Sequence, residues 1–323
     1  MKKYLGIFAL MMAMLLLTSM TCGALAEDWK WDQRVEIMVP AGEGGGLDTT
    51  IRKFATYLEK ELGTTITILN KSGTAGVTGY TWSYNSTNKG YSYQFTAPTV
   101  IISAAQGLFT GFDPMKVIKP VSGLVNAEGM IISRLNAPWK DAQELIDYAK
   151  AHPGEVQMGG SSNASVWHIA GGYLMNAADI ELQMVTYQEG AATAVQNAAS
   201  GFIQGVTVSL GEARNFIESG HLICLGVMDD QRNSLFPDVP TCKEQGYDIA
   251  YATQRGMAVP KGIDPAIKDR LQAACAAAIE DPDFVTFMNN GGYTIAYQNA
   301  EEYTAFLAQS LTDVGEAMES LGL

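Results

Sequence analysis

The sequence predicts an α/β protein with two lobes, mixed and mainly parallel sheets, and a cleft between the lobes. Short apolar runs alternate with helical stretches along most of the 323 residues, which is typical of βαβ units and parallel sheets. A chain of this length exceeds one typical domain and suits two. Segments that look like one domain flank the later βαβ region on both sides, so more than one crossover between the lobes is expected.

The first lobe is predicted from apolar runs and one clear amphipathic helix. Residues 35–39 form an apolar run that favours a strand, and a helix over 49–62 places Ile51 and Phe54 on one face. The remaining elements of this lobe are predicted strands at residues 65–69, 92–96, 116–124 and 256–259 and helices at 265–279 and 300–321.

The second lobe is predicted from a denser alternation of strands and helices. The helix over 139–151 ends at a His-Pro-Gly sequence, and the helix over 191–200 ends at Gly201. Its other elements are predicted helices at residues 166–178 and 212–218 and strands at 129–133, 156–160, 183–187, 203–209 and 222–227. The predicted division therefore gives residues 27–125 and 254–323 to lobe 1, and residues 126–253 to lobe 2.

The N-terminus has the pattern of a secretory signal peptide over residues 1–26. Lys2 and Lys3 give it a charged start, an apolar stretch follows, and residues 24–26 form a cleavage site of small-x-small type. The apolar stretch is too short for a stable membrane span. We therefore expect an exported protein in the periplasm or another extracytoplasmic space. Lipid anchoring at Cys22 is the less favoured alternative, because the residues before it make a poor lipidation box.

Composition and charge exclude several functions. The formal net charge of −13 argues against a nucleic-acid partner, because nucleic acids are polyanions. It does not forbid an anionic ligand, since local backbone dipoles can outweigh net charge. Export would allow one disulfide among Cys224, Cys242 and Cys275, but the first and third lie in apolar segments typical of buried thiols. No paired Cys or His spacing suits zinc, and neither a metal nor a cofactor is expected.

A glycine loop after the first strand is the first candidate binding site. Four glycines lie between Gly42 and Gly46, and a helical pattern begins near Asp48. Such a loop points backbone N–H groups forward, which suits an anion. The Lys-Ser/Thr of a P-loop is missing, so a carboxylate is favoured over a nucleotide. A turn that binds nothing is the alternative, and Asp48 is predicted to be the helix N-cap.

The second candidate loop is rich in serine. Ser161, Ser162, Asn163 and Ser165 precede a helix that carries His168. The hydroxyls can donate to an anion, although one of them is expected to cap the helix. A serine near a histidine also raises a hydrolase as an alternative. The Gly-x-Ser-x-Gly elbow is absent, and a lone histidine in a first helical turn is more often structural than catalytic.

The third candidate loop places Gly190 and Ala191 between a predicted strand and a predicted helix. The alternative is an ordinary connection between the two elements. In open α/β sheets, ligands bind beyond the carboxyl ends of the strands. Loops from facing lobes are therefore expected to converge on one cleft.

A series of motifs runs through nearly the whole mature chain. The most specific is Phe236-Pro237-Asp238-Val239-Pro240-Thr241 followed by Glu244 and Gly246. The others are Val39-Pro40 with Gly44-Gly45-Gly46-x-Asp48, Asn70-x-x-Gly73-x-x-Gly76-x-x-Gly79, Gly90-Tyr91, the loop from Ser161 to His168, and Arg255-Gly256 with Ala258-Val259-Pro260-Lys261-Gly262. In this order and spacing, they resemble the extracytoplasmic solute receptors of the tripartite tricarboxylate transporter family, also called Bug receptors.

The resemblance implies a fold like that of type II periplasmic binding proteins, whose two lobes close on a small carboxylate, either a di- or tricarboxylate or a related acid. It also implies delivery of that ligand to integral-membrane permease subunits without any catalysis. A monomer is expected. The ligand contacts that the motifs carry over are Gly44, Gly45 and Gly46 in the first loop, Ser161, Ser162 and Ser165 in the second, and Gly190 and Ala191 in the third.

Three positions depart from the family pattern. Glu43 stands where a small or apolar residue is usual, and Gln188 and Glu189 stand where an aromatic residue and often a lysine are common. A carboxylate facing the cleft would repel an anionic ligand but could pair with an amine, so an amine-bearing acid is an alternative ligand. Solvated surface is the plainer interpretation of both acids. Arg255 could pair with a distal carboxylate or form a salt bridge between the lobes.

The sequence therefore predicts an exported receptor for a small organic acid. Two other classes stay open at this point. One is a secreted Ser/His hydrolase that uses the second loop. The other is a ligand-binding sensory module that reports to a membrane kinase.

Overall fold

Two β-sheets form the framework of the protein. The computed structural model describes residues 29–44, 46–87, 90–187 and 190–323, so the signal segment, Cys22, Gly45, Gln188 and Glu189 lie outside the described residues. The strands are β1 (Val35–Val39), β2 (Ile66–Asn70), β3 (Ser92–Thr96), β4 (Ile118–Asn126), β5 (Gly129–Arg134), β6 (Gln157–Gly159), β7 (Gln183–Val185), β8 (Gly205–Ser209), β9 (Leu222–Met228), β10 (Arg255–Pro260) and β11 (Thr294–Gln298).

The helices occupy much of the chain between the strands. They are α1 (Gly46–Leu62), α2 (Val77–Tyr84), α3 (Thr99–Ala105), α4 (Pro114–Val117), α5 (Ala142–Ala151), α6 (Val166–Ala178), α7 (Ala191–Ala199), α8 (Leu210–Glu218), α9 (Pro265–Ile279), α10 (Pro282–Asn290) and α11 (Ala300–Ser320).

Each lobe is built on one mixed sheet. The sheet of lobe 1 has the strand order β11-β4-β10-β3-β1-β2, and the sheet of lobe 2 has the order β7-β6-β8-β5-β9. β1 runs parallel to β2 and β3, and β6 runs parallel to β7 and β8. The antiparallel pairings of the named strands all involve β4, β5 or β10, which adjoin the crossings between the lobes. The predicted two-lobed α/β class is confirmed. There is more antiparallel pairing than expected, because β5 and β10, the first strands after the crossings, and β11 run opposite to the other strands of their sheets.

Several element boundaries follow the sequence closely, and others do not. The predicted bounds of β1, β3, α6 and α9 agree with the structure, whereas α3, α10 and β11 were not predicted. The strand predicted at 116–124 is wrong at its start. Residues 114–117 form a helix there, because Asp113 caps it by accepting a hydrogen bond from the N–H of Met115 at 3.0 Å and Pro114 suits its first turn.

Lobe 1 has an apolar core between its sheet and the helices α1, α9 and α10. Ile37 and Phe54 are fully buried there, and the rings of Phe54 and Phe284 lie 5.6 Å apart. An aromatic pair of this kind adds about 0.5–1.5 kcal/mol beyond its buried area. This packing fixes α1, and with it the end of the glycine loop, against the sheet.

The last helix, α11, contacts both lobes. Near its start, the hydroxyls of Tyr303 and Thr96 lie 2.7 Å apart in lobe 1. Near its end it packs on α6 of lobe 2, where a Cβ added to Gly172 would lie 2.6 Å from the carbonyl oxygen of Ala317. That approach is closer than any side chain allows, so glycine is required at position 172. The assignment of all residues after 253 to lobe 1 stays a prediction.

Candidate functional site

A cavity of about 660 Å³ lies between the lobes. On lobe 1 it adjoins the segments that follow β1 and β3, and on lobe 2 it adjoins the segment that follows β8, so it lies beyond the carboxyl ends of these strands. Its walls are formed by Gly46, Leu47, Thr49, Thr50, Ala97, Pro98, Thr99, Val166, Trp167, Ser209, Gly211, Glu212, Thr253, Arg255, Phe287, Asn290, Gly291 and Tyr293.

Arg255, at the start of β10, supplies the positive charge of this cavity. Its side chain is 8% exposed, and its Nη1 donates to the carbonyl oxygen of Gly46 at 3.0 Å and to Oγ1 of Thr50. The guanidinium also lies over the ring of Tyr293, 4.5 Å from its centre. Among the described residues no carboxylate pairs with it. The predicted alternative of a salt bridge between the lobes is therefore not formed, and Nη2 and Nε are left without a protein acceptor in the described part of the chain.

Glu212 supplies a negative charge on the opposite wall, and the sequence analysis missed it. Its Oε2 accepts hydrogen bonds from the backbone N–H of Ser209 at 3.0 Å and from the Ser209 hydroxyl at 2.8 Å. These contacts form a capping box at the start of α8. The Ser-x-x-Glu spacing could have revealed it, and it also explains why α8 begins at Leu210 rather than at Glu212 as predicted.

In the first loop, a backbone N–H group that could bind a ligand anion already donates to a carboxylate of the protein. The backbone N–H of Gly44 donates to Oδ2 of Asp48 at 2.9 Å, and Nδ2 of Asn70 donates to Oδ1 at 2.8 Å. Because α1 begins at Gly46, Asp48 lies inside its first turn, and the prediction that Asp48 is the N-cap is wrong. The carboxylate instead reaches back to the loop, as an acidic residue at the third helical position does in a capping box.

The electrostatics of Asp48 follow from these contacts. Burial favours a higher pKa, but the hydrogen bonds from Arg52, Gly44 and Asn70 outweigh it and hold the pKa of Asp48 below its usual value. Arg52 in turn has a raised pKa, first because of its hydrogen bond to Asp48 and also because of the charge of Glu43. Glu43 itself is exposed and does not line the cavity.

The second loop is held together by its own polar groups. The hydroxyls of Ser161 and Ser165 lie 2.5 Å apart, and the N–H of Ser165 donates to the carbonyl oxygen of Ser162 at 3.0 Å. Ser165 occupies the N-cap position of α6, but its hydroxyl makes no bond to the helix backbone, so the expected serine cap is not formed. Asn163 is exposed at the tip of this loop.

His168 is tied to the same loop as a neutral ring. Its Nδ1 accepts the backbone N–H of Ala164 at 3.0 Å, and the side chain is 5% exposed. Burial lowers the pKa of His168, which keeps the ring uncharged. With Nδ1 accepting, the ring proton is on Nε2. This arrangement gives His168 a structural role in fixing the loop.

The third loop joins the second. The N–H of Tyr187 donates to the carbonyl oxygen of Ser161 at 3.1 Å, and the N–H of Gly190 donates to the carbonyl oxygen of Tyr187 at 3.0 Å. Gly190 has a φ of 104°, which favours glycine there, and it precedes the buried Ala191 at the start of α7. The two loops of lobe 2 therefore form one hydrogen-bonded unit.

The structure brings only part of the predicted site to the cavity wall. Gly46 and Arg255 line the cavity directly, and the second loop reaches it through Val166 and Trp167, which follow Ser165. The cavity wall does not include Glu43, Gly44, Ser161, Ser162, Asn163, Ser165, His168, Gly190 or Ala191. Sequence reasoning missed Thr50, Trp167, Glu212 and Tyr293, which lie on four different elements or connections.

Other chemistry is limited in the part of the chain that the structure describes. Cys224, Cys242 and Cys275 are free thiols, and burial raises the pKa of each to about 12. Within residues 29–44, 46–87, 90–187 and 190–323, no group of three or more His, Cys, Asp or Glu side chains could hold a metal ion. Over the same residues, no helix is long and apolar enough to cross a membrane.

Two mixed sheets with a cavity between them, lined by one buried arginine, define a two-lobed ligand-binding protein. Comparison with protein-family models makes the assignment specific. Residues 50–323 match the family described as "Tripartite tricarboxylate transporter family receptor", and the chain therefore belongs to that family. This family consists of periplasmic solute-binding receptors and not of enzymes, which removes the hydrolase alternative. Its members bind small carboxylates and work with the membrane subunits of a transporter.

Individual relatives agree with this assignment. The chain is 27% identical over 302 residues to the "UPF0065 protein in gbd 5'region" of Cupriavidus necator, covering 93% of this chain and 91% of that protein. It is 24% identical over 281 residues to Protein BugT of Bordetella pertussis (strain Tohama I), covering 86% of each.

Solved structures share the fold. A TctC solute-binding protein from Polaromonas, without ligand, superposes with a TM-score of 0.80 at 28% identity and covers 90% of this chain and 99% of its own. MatC from Rhodopseudomonas palustris with bound malate superposes with a TM-score of 0.71 at 21% identity, covering 89% of this chain and 99% of its own. An R. palustris protein with adipate superposes with a TM-score of 0.74 at 21% identity, covering 91% of this chain and 99% of its own.

Proposed function

We propose that this chain is an exported receptor that captures a small organic acid in the cleft by lobe closure. It then delivers the acid to a tripartite tricarboxylate-type permease, acting as a monomer exported by the signal over residues 1–26. The observation that carries the proposal is Arg255, a buried guanidinium on the cavity wall with no carboxylate partner among the described residues. A ligand carboxylate would supply that missing counter-charge.

The physical argument rests on the cost of an unpaired buried charge. Taking a charge out of water without a partner is costly, whereas an opposite charge with good hydrogen-bond geometry offsets that cost. Nη1 is held by Gly46 and Thr50, so the guanidinium is fixed with Nη2 and Nε open. A planar guanidinium in a fixed orientation matches a carboxylate through two parallel hydrogen bonds. The two R. palustris structures contain malate and adipate, and these small dicarboxylates support a carboxylate ligand for this chain.

Lobe closure would bring in the rest of the predicted site. We propose that residues 27–125 with 254–323, and residues 126–253, move as two bodies about the crossings. On closure, the hydroxyls of Ser161 and Ser165 and the backbone of Gly190 would approach the ligand held at Arg255. Two-lobed receptors commonly close in this hinge-like way around a ligand. The first loop would contribute Gly46, because the N–H of Gly44 is already paired with Asp48.

Thermal unfolding with a panel of acids tests the proposal. Dicarboxylates, tricarboxylates, aromatic acids and amino acids are each added to the wild-type protein and to Arg255→Met, Arg255→Lys and Arg232→Gln variants. A ligand present at 100 times its Kd stabilises the protein by about 2.7 kcal/mol. The stabilisation is expected to vanish in Arg255→Met, to persist in part in Arg255→Lys, and to stay unchanged in Arg232→Gln, whose arginine is exposed and pairs with Glu244.

Either of two outcomes would overturn the receptor proposal as stated. If uncharged compounds alone raise the melting temperature, or if acids raise it equally in wild type and Arg255→Met, the carboxylate does not bind at Arg255.

A further inference from the structure

The cavity carries opposite charges on its two walls. Among its described lining residues, Arg255 of lobe 1 is the only cation and Glu212 of lobe 2 is the only anion. The two do not form an ion pair with each other. Each therefore faces the cavity without the other as a partner.

Glu212 is held in place without being neutralised. Its Oε2 accepts two hydrogen bonds from Ser209, while Oε1 accepts none from the described residues, and the side chain is exposed to the cavity. Neither donor to Oε2 is a cation. The carboxylate also sits at the N-terminus of α8, where it offsets the positive end of the helix dipole. This wall is therefore a poor place for a second anion.

The two walls approach each other closely beside Glu212. Tyr293 lies under Arg255, and a Cβ added to Gly291 would lie 2.9 Å from the Tyr293 ring. A Cβ added to Gly211, the residue before Glu212, would lie 3.0 Å from the carbonyl oxygen of Gly291. The backbone beside Glu212 thus touches the segment that supports Arg255. The apolar groups available to a short carbon chain between the two charges are Leu47, Trp167 and Phe287.

We infer that the ligand is a zwitterionic amino acid, whose carboxylate meets Arg255 and whose protonated amine meets Glu212. This inference deepens the proposed function and rests on it. A dicarboxylate of the same length would place its second carboxylate against Glu212, where like charges repel. An ammonium group in that position donates to Oε1 instead and forms a charge-assisted hydrogen bond.

Isothermal titration with matched ligands tests the inference. Amino acids of three to six carbons are each compared with the dicarboxylate in which a carboxylate replaces the amine, and with the acid that lacks the amine. The variant is Glu212→Gln, because glutamine keeps the capping box and removes only the charge. The matched control is Glu144→Gln, which changes a glutamate in the first turn of α5, away from the cavity.

We expect the wild-type protein to bind at least one amino acid more tightly than both the matched dicarboxylate and the acid that lacks the amine. Glu212→Gln weakens binding of that amino acid by about tenfold or more, because a hydrogen bond between charged groups is lost. The same variant binds the matched dicarboxylate with an unchanged or higher affinity. Glu144→Gln changes neither affinity.

Three results separate the inference from the proposed function. If dicarboxylates bind best and depend on Arg255 but not on Glu212, the zwitterion inference is wrong and the receptor function stands. If amino acids bind equally well to wild type and Glu212→Gln, Glu212 does not read the amine and the inference is also overturned. If no acid of any kind binds, the proposed function itself fails.

Discussion

The guanidinium of Arg255 lies 4.5 Å from the ring centre of Tyr293, although the two residues belong to β10 and to the loop before β11. The ring covers one face of the guanidinium while Gly46 and Thr50 hold Nη1 at its edge. The orientation of the charge is therefore set before any ligand arrives. Pre-organisation of this kind lowers the cost of ordering a binding group.

Replacing Tyr293 should weaken ligand binding through the loss of that support. A cation–π contact contributes about 0.5–2 kcal/mol, so Tyr293→Leu should raise the Kd of the best acid by about 2- to 30-fold. Tyr293→Phe keeps the ring and should stay within about threefold of wild type. Titration calorimetry measures both. Equal losses in the two variants would mean that the hydroxyl, and not the ring, matters at this position.

Asp48→Asn should destabilise the fold near the first loop. Asp48 is 2% exposed and accepts hydrogen bonds from Gly44, Arg52 and Asn70. An amide cannot accept all of these donors and adds two of its own, so a loss of about 1–3 kcal/mol in the free energy of unfolding is expected. Urea denaturation at neutral pH measures it. Asp113→Asn, an exposed change at the start of α4, is the control and should cost less.

The same residue gives the protein an acid-sensitive contribution to stability. The pKa of Asp48 is lowered in the folded state, so the unfolded chain binds a proton first as pH falls. The contribution is complete above the unfolded-state pKa of about 3.9 and is lost as pH falls through the lower folded-state value. The free energy of unfolding should therefore drop less steeply with acid in Asp48→Asn than in wild type. Parallel curves for the two proteins would contradict this account.

His168 should contribute a second pH dependence at milder acidity. Burial lowers its pKa in the folded state, so below about pH 6.5 the unfolded chain takes up a proton that the folded protein does not. Stability should accordingly fall as pH drops below that value. His168→Asn, whose amide oxygen can still accept the N–H of Ala164, should flatten this part of the curve. An unchanged slope in the variant would show that His168 does not cause it.

Gly172→Ala should destabilise the contact between α6 and α11. The new Cβ would lie 2.6 Å from the carbonyl oxygen of Ala317, which is backbone and cannot swing away. Overpacking of this kind costs about 1–3 kcal/mol, even though alanine favours helix formation. Gly315→Ala in α11 is a matched control, because nothing lies within 4 Å of its added Cβ. It should instead stabilise by about 0.5–1 kcal/mol, and thermal unfolding distinguishes the two.

The sequence predicted the local parts of this molecule well. Apolar runs bounded by loop residues located β1 and β3, and the amphipathic pattern after Gly46 located α1. These signals depend on residues close together in the chain. The family was recognised for the same reason, since its motifs are short segments in a fixed order.

The parts of the site that escaped prediction depend on distant contacts. Arg255 and Gly46 were each predicted as site residues, but the hydrogen bond that joins them across 209 positions was not, because no local pattern reveals it. Asp48 was predicted to be a helix cap because the sequence does not show that its carboxylate accepts hydrogen bonds from Gly44 and Asn70. Glu212 had a readable capping motif, but its position on a cavity wall follows from the packing of lobe 2 against lobe 1.

A crystal structure of the protein with its best-binding acid would show whether Arg255 holds the ligand carboxylate. We expect a ligand carboxylate within hydrogen-bond distance of Nη2 or Nε of Arg255, with the guanidinium still stacked on Tyr293. A carboxylate bound at the second loop, with Arg255 left in contact with solvent alone, would contradict it.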